Sequence, residues 1–499
     1  MRRFAIPALL CALAASACAG KKPVPVAPTP QASASAAPKT PPPDPEPFRT
    51  QRPPAGAAAQ FVYPTPTELK LGNGLRVYLV KRPARVTALK LVVFHGASAV
   101  PEGKAGLAGL TARMLTESTQ KKSAAALAEA VEALGTTLGS NASRDESSVS
   151  LNVLPADLPR ALSLLAEVVV TPAFSPGDFA RVRAEWMDNV RGERQNPQRL
   201  ATLAAVRSLF GPVLGAPVAG SISELEALKV SDLRDFHRRL YTPDSAALVV
   251  VGDVDERELM AQTGKAFGAW RGKNALPSGP VTLPAGPDRT RVLLIDRPGA
   301  VQSALVALQP FPKRSEPGFE ARQVMGRVLG GLFTSRLNTN LREEHAYTYG
   351  AFAQPITTRQ WGALLVSTSV RTDATAAALD EIVLELKRMQ DPTLGAAVSA
   401  EELGRAKADL IFNLGATLEH PSHVADETSE LFVDGLPADY HTRYPALISA
   451  LTQDQVAKAA SGITPTRLLV LIVGDRAKIE AELQRRGYGP ELAPSSLSD

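Results

Sequence analysis

LGGLFTSRLNTNLREEHAYTYGAFA, residues 329–353, places a glycine pair, a helix and a strand one after another. Gly330 and Gly331 interrupt an amphipathic run in which Val324 and Val328 stand four apart. Thr334 or Ser335 supplies the N-cap of a new helix. Leu337 and Leu341, again four apart, give that helix its buried stripe, and it should end near Glu344. Tyr347, Tyr349 and Ala351 then alternate with small residues, the pattern of a strand. Arg342 thus leaves the last helical turn and Tyr349 lies on the strand that follows. A guanidinium fork and a phenol hydroxyl both donate hydrogen bonds, and together they suit a carbonyl oxygen that gains negative charge. Residue type alone equally allows an arginine that complements the helix dipole and a half-buried strand aromatic.

The order of the whole stretch resembles the second half of the pitrilysin/insulinase metallopeptidases, the inverzincins, which include the mitochondrial processing peptidases. Gly330-Gly331 and Ser335-Arg336-Leu337 match that family's lead-in. The resemblance implies that Arg342 and Tyr349 are the family's substrate-holding pair, set opposite a zinc site. It extends over most of the chain beyond residue 65.

The zinc site belongs in the first half. Glu68 to Lys81, ELKLGNGLRVYLVK, reads as a hairpin around Asn73-Gly74, and Ala88 to Phe94 as a second strand. Next comes GLAGLTARMLTEST, residues 106–119. In the resembling family a helix here carries H-x-x-E-H. Its two histidines share one face and bind zinc, and its glutamate polarises the attacking water. The frame is kept, but the three chemical positions are Gly109, Ala112 and Arg113. None of them ligates zinc or takes a proton from water, and Arg113 brings a positive charge to the cation's place. The third ligand position falls on the helix FARVRAEWMDNVRGERQNP, at Asn189 beside Asp188. This half is therefore expected to have lost the zinc centre, with no metal or cofactor bound there. Further on, Val149, Leu151 and Val153 mark a half-buried strand and Leu158 to Val170 an amphipathic helix.

The end of this half recurs. Thr242-Pro243 followed by AALVVVGD returns as Thr464-Pro465 followed by RLLVLIVGD, and Gly252 and Gly474 are 222 residues apart. A repeat that long means two homologous domains, not a solenoid. The expected organisation is 61–272 as an N-terminal domain with a degenerate zinc motif, 273–290 as a Pro/Gly linker, 291–490 as a C-terminal domain with the Arg–Tyr pair, and 491–499 as a tail. The fold class is α+β. The resemblance implies two LuxS/processing-peptidase-like α/β domains, antiparallel-rich mixed sheets with helices on one face, arranged as a clamshell. It further implies an edge strand that pairs with an extended peptide.

Composition narrows the function. The 499 residues carry a net charge of +5 without a long basic run, so nucleic acid is not implied. Cys11 and Cys18 are the only cysteines, which leaves no disulfide framework or zinc–cysteine site in the body. MRRFAIPALLCALAASAC, residues 1–18, has a basic start and an apolar core too short to span a membrane. Ala15-Ser16-Ala17-Cys18 resembles a lipobox, with alanine where leucine is usual. That makes Cys18 the expected lipidation site; the alternative is an ordinary secretory signal cleaved near Ala17. Residues 19–60 hold too little apolar surface to fold and read as a tether, which at about 40 residues reaches on the order of 100 Å. By resemblance to Gram-negative lipoproteins, the absence of aspartate after Cys18 points to the outer membrane, facing the periplasm.

Other candidates weigh less. His420 and His423 flank Pro421 without a nearby third ligand and read as capping or surface residues. His95, His237, His345 and His441 are isolated in sequence, and only His345 adjoins the Arg–Tyr stretch. Glu343 and Glu344 read as helix-end carboxylates facing solvent. The resemblance then implies the non-zinc subunit of a two-chain metallopeptidase, inactive alone, whose partner carries the zinc and whose substrate is a peptide. The rival reading is an inert scaffold that binds a partner in the cell envelope.

Overall fold

A computed structural model describes residues 61–274, 281–394 and 397–497. The expected signal, tether and lipidation site at Cys18 lie outside the described residues, as does part of the 273–290 linker. The first half contributes β1 (Thr67–Lys70), β2 (Arg76–Lys81), β3 (Thr87–Val93), β4 (Gly139–Ala142), β5 (Ser147–Val153) and β6 (Ala246–Gly252). The second contributes β7 (Arg291–Asp296), β8 (Gln302–Phe311), β9 (Thr348–Thr357), β10 (Gly362–Arg371), β11 (Leu469–Gly474) and β12 (Glu491–Leu492).

The sheets repeat one another. The order β2-β6-β3-β5-β4 returns as β7-β11-β8-β10-β9. In each, one pair is parallel, β2 with β6 and β7 with β11, and the remaining neighbours are antiparallel. The repeated glycine has one physical reason in both copies. A Cβ on Gly252 would sit 2.8 Å from Thr87 Oγ1, and one on Gly474 would sit 2.6 Å from Ser303 Oγ. The sixth position is filled from opposite ends of the chain. β1 arrives antiparallel through the predicted hairpin. β12 arrives parallel to β7 from residues 491–492, which corrects the assignment of 491–499 as a tail. Two residues are too few to show the alternation by which a strand is recognised.

Each half packs its own helices on one sheet face, as expected. Leu89, Leu91, Val149, Leu151 and Val250 meet helices Leu107–Leu115 and Leu158–Val170 there. The opposite faces are covered by an exchange. Helix Pro197–Leu214 of the first half lays Leu200, Ala204, Leu209 and Phe210 on Val306, Leu308 and Leu471 of the second sheet. Helix Pro421–Asp434 of the second half lays Val424, Ala425 and Val433 on Val92, Val249 and Val251 of the first. Each of these helices opens on proline, whose fixed φ and missing N–H suit the first helical turn.

The exchange is pinned. Phe210 stacks on Trp361 with centroids 4.2 Å apart, and the Trp361 indole N–H donates to the Leu214 carbonyl at 3.1 Å. The Lys90 ammonium on β3 donates to Asp426 at 3.0 Å and Ser429 at 2.8 Å on the incoming helix. Coverage on both faces explains why β3, β6 and β11 are buried along their whole length, and why β6 and β11 run apolar without alternating. The expected clamshell of two α/β halves is thus latched by crossed helices.

Candidate functional site

The helix before β9 begins at Ser335, an N-cap position with extended backbone, and buries Leu337 and Leu341 completely. Its second part, Thr339–Glu344, is a wide π-helical turn that carries Arg342. Such turns are rare in helices and concentrate at functional sites. Ala346 closes the helix in the left-handed region at φ +51, a position glycine usually takes. The Tyr347 N–H then returns to the Leu341 carbonyl at 2.8 Å. These bonds fix the angle between the helix that carries Arg342 and the strand that carries Tyr349.

Tyr349 stands in a β-bulge. β10 pairs Thr368 with Ala351 and Val370 with Thr348, so two residues of β9, Tyr349 and Gly350, oppose Ser369 alone. The Thr348 hydroxyl holds the distortion, donating to the Ser369 carbonyl at 2.7 Å and accepting from the Gly350 N–H at 3.1 Å. A bulge at a sheet edge re-aims a side chain. Tyr349 is 91% exposed, and its hydroxyl has no hydrogen-bond partner among the described residues. Arg342 lies over the exposed ring of Phe333, 4.0 Å from its centroid, and pairs loosely with Glu343 at 3.4 Å. No hydrogen bond joins Arg342 to Tyr349 among the described residues. The two donors are held on one edge of the second half with their polar ends uncommitted to the core.

The outer side of β9 is partly spoken for. Asn338 presents its amide to Ala351 like a neighbouring strand, accepting from its N–H at 2.9 Å and donating to its carbonyl at 2.9 Å. Gly330 lies so close to the next outward position that a Cβ would stand 2.3 Å from the Ala353 nitrogen. This close approach is the physical reason for glycine at 330, whereas a Cβ on Gly331 would meet the Arg327 side chain at 2.7 Å. An extended peptide therefore has no free ladder along Ala351–Ala353. β4, the edge of the first sheet, alternates between exposed and half-buried residues.

The first-half positions are closed. Gly109, Ala112 and Arg113 lie on the predicted helix, and Gly109 and Ala112 are buried. A Cβ on Gly109 would meet the Trp186 ring at 2.7 Å, so the indole fills the space that a ligand side chain would need. Trp186 is anchored by its N–H to the Ala219 carbonyl at 2.8 Å. Arg113 forms an ion pair with Glu117, which also pairs with Arg181. Asn189 is exposed on helix Pro176–Gln195, the element that presents Trp186, and Asp188 beside it pairs with Arg191 at 2.7 Å. A glycine, an alanine, a paired arginine and an exposed amide do not fit zinc, which takes thiolate, imidazole and carboxylate donors. No step through a metal follows at these residues. Sequence reasoning does not single out Trp186 or Phe333; a large aromatic three residues before the third ligand position is the available signal for the former.

Glu343 is exposed, as expected of a helix-end carboxylate. His345 stacks on Tyr347 with centroids 5.0 Å apart. His420 caps helix Pro421–Asp434 by position and meets the His423 ring edge-on at 5.0 Å. His237 is half-buried with its Nε2 2.7 Å from the Val169 carbonyl, and loss of hydration lowers its pKa to about 4.

Both halves of the chain match models of one peptidase family. Residues 76–214 match the family model described as Insulinase (Peptidase family M16), and residues 227–410 match the one described as Peptidase M16 inactive domain. An uncharacterized zinc protease of Mycobacterium leprae is 29% identical over 291 residues, 57% of this chain and 64% of that relative. One of Mycobacterium tuberculosis is 28% identical over 386 residues, 74% of this chain and 84% of the relative. A solved structure titled a peptidase M16 inactive domain from Pseudomonas fluorescens superposes with a TM-score of 0.75 at 23% identity, covering 82% of this chain and 98% of that one.

Proposed function

The chain belongs to the insulinase family, peptidase family M16, and from that premise we propose that it is the non-zinc subunit of a two-chain metallopeptidase. Its partner is a chain of the same family with an intact H-x-x-E-H motif, which holds the zinc. This chain supplies Arg342 and Tyr349. The observation that carries the reading is Tyr349: a phenol 91% exposed in a bulge, with no hydrogen-bond partner among the described residues, following a guanidinium on the preceding turn. An exposed aromatic of that kind does nothing for this chain's own stability. It suits a site completed by another molecule.

The division of labour is simple. The metal, with its activated water, belongs to the partner and supplies the nucleophile. Arg342 and Tyr349 donate hydrogen bonds to a peptide carbonyl and hold it in register, and their donors favour the charge that develops on its oxygen. Trp186 packed against Gly109 supports the complementary half of the reading, since it leaves the first-half site no room for a ligand side chain.

The deciding experiment is peptide turnover by this chain alone, by the partner alone, and by the mixture. Only the mixture should cleave, and Arg342→Ala or Tyr349→Phe should remove most of that activity while the subunits still co-elute. Full turnover with both variants would leave a scaffold that binds its partner without serving the reaction. We further propose that Cys18 is acylated and tethers the chain to the outer membrane. Cys18→Ser should then move the protein into the soluble periplasmic fraction; a variant that still sediments with membranes places the anchor elsewhere.

A further inference from the structure

A cavity of about 300 Å³ lies among helices Ala400–Thr417, Pro421–Asp434 and Tyr440–Ala450. It shares no residue with either site above. Glu427 and Glu430 stand on its wall one turn apart, and His441 faces them from the next helix. One oxygen of each carboxylate and one ring nitrogen lie within 4.8 Å of one another.

The hydrogen bonds say what this cluster lacks. His441 Nε2 is 3.0 Å from the Glu427 main-chain carbonyl. A carbonyl only accepts, so Nε2 carries the proton and Nδ1 is left with its lone pair. That lone pair faces Glu427 Oε2 at 3.8 Å. At 3.8 Å the two atoms are too far apart to share a proton in a hydrogen bond. Two acceptors therefore face each other with nothing to share. Glu430 has no hydrogen-bond or ion-pair partner among the described residues. Arg314, also on the wall, is engaged by Asp434 at 3.3 Å, and Glu320 already accepts from the Tyr440 hydroxyl at 2.9 Å. Glu430 is an exposed residue on the wall of the cavity, so its carboxylate is open to an incoming ion.

We propose that Glu427, Glu430 and His441 form a binding site for a divalent cation of the zinc class. The donor set is one imidazole and two carboxylates, with water from the cavity completing the shell. Neutral imidazole favours zinc and its neighbours over calcium or magnesium, which prefer an all-oxygen shell. The Nε2–H bond to a backbone carbonyl is the contact that metal-ligating histidines make with their second nitrogen, and it fixes the ring. Ligands around a tetrahedral ion with bonds of about 2.0 Å stand roughly 3.3 Å apart; rotation of the two glutamate side chains brings the present set to that spacing. The ion ties helix Pro421–Asp434, which latches the two halves, to helix Tyr440–Ala450. It is remote in sequence from Gly109, Ala112 and Arg113 and needs no peptidase activity, so it stands or falls independently of the proposed function.

The test uses the full chain after chelator treatment. Titration with Zn²⁺, followed by calorimetry and thermal unfolding, should show one ion per chain and a raised Tm, and Co²⁺ should give a ligand-field spectrum. Glu430→Gln and Glu427→Gln keep the side-chain shape and should each weaken binding at least tenfold, with circular dichroism confirming the fold. His420→Gln, outside the site, should bind as the wild type does. The proposal is overturned if micromolar Zn²⁺ shows no saturable binding. It is equally overturned if both glutamine variants bind unchanged, if His420→Gln abolishes binding, or if Ca²⁺ binds and Zn²⁺ does not.

Discussion

Two copies of one sheet have taken opposite courses. In the first half Gly109 is plugged by Trp186, and Arg113 is tied up in an ion pair with Glu117. In the second half the positions that matter point outward, with Tyr349 lifted by a bulge and Arg342 resting on an exposed Phe333. On the proposed reading, loss of function in the first half shows as better packing. A glycine and an alanine on the inner face of a helix let the neighbouring indole settle, and the buried area stabilises the domain. On the proposed reading, function kept in the second half shows as local disadvantage. An exposed tyrosine, a left-handed alanine and a widened helical turn all cost stability, and these costs are tolerated where a site needs them.

That contrast is broken most sharply by deleting the outward pair. Arg342→Ala or Tyr349→Phe should lower turnover of the reconstituted complex by about 10²–10³-fold each, the usual loss for one donor at a developing oxyanion. The stability of the chain should stay within about 0.5 kcal/mol of wild type, as for surface changes. The double variant should lose less than the product of the two, because both donors hold one peptide segment. Arg342→Lys should not restore activity, since an ammonium lacks the planar fork. Equal losses of Tm and turnover would mean that the pair is structural after all.

The inward side gives a smaller effect, and its sign can be reversed. Gly109→Ala gains about 1 kcal/mol of helix propensity but drives a Cβ to 2.7 Å from Trp186, and overpacking costs about 1–3 kcal/mol. The expected net effect is a loss of up to about 2 kcal/mol, read in urea unfolding with a shift in tryptophan emission. In a Trp186→Ala background the clash is gone, and the same substitution should stabilise by propensity alone. If Gly109→Ala destabilises equally in both backgrounds, the indole is not the plug.

Much of this was legible in the residues. Four-residue apolar spacing located the helix that carries Arg342, and the Thr-Pro to Gly-Asp repeat announced two sheets of one topology. The hairpin at Asn73-Gly74 followed from local chemistry, and Ser335 takes the N-cap position, although its hydroxyl accepts from Asn338 Nδ2 at 3.1 Å and not from a helix N–H. What stayed hidden depends on tertiary partners. Nothing in the sequence of helix Pro197–Leu214 says whose sheet it covers, because an apolar stripe fits either half. Asn338 standing in for a strand beside Ala351 depends on the angle set at Ala346, which single residues do not encode. His441 reads as an isolated histidine until the fold brings Glu427 and Glu430 to it.

The smallest effect concerns that cluster and separates a wet second half from a dry first one by pH. The Glu430 carboxyl is lifted to about 8 from its ordinary value of 4.5. Between those values the folded chain binds more protons than the unfolded chain, so stability falls as pH rises. The contribution is fully present below pH 4.5 and lost as pH passes 8. Glu430→Gln removes the titration. In chelator-containing buffer the variant should therefore match wild type near pH 5 and exceed it in Tm near pH 8.5. Glu427 shifts in the same direction and remains in the variant, so part of the slope should persist. Added Zn²⁺ should reverse the ranking at pH 8.5, since the wild type then gains a ligand that the variant cannot hold. A Glu430→Gln curve parallel to wild type across the whole range would show that the carboxyl titrates in solvent and that the cavity is not its environment.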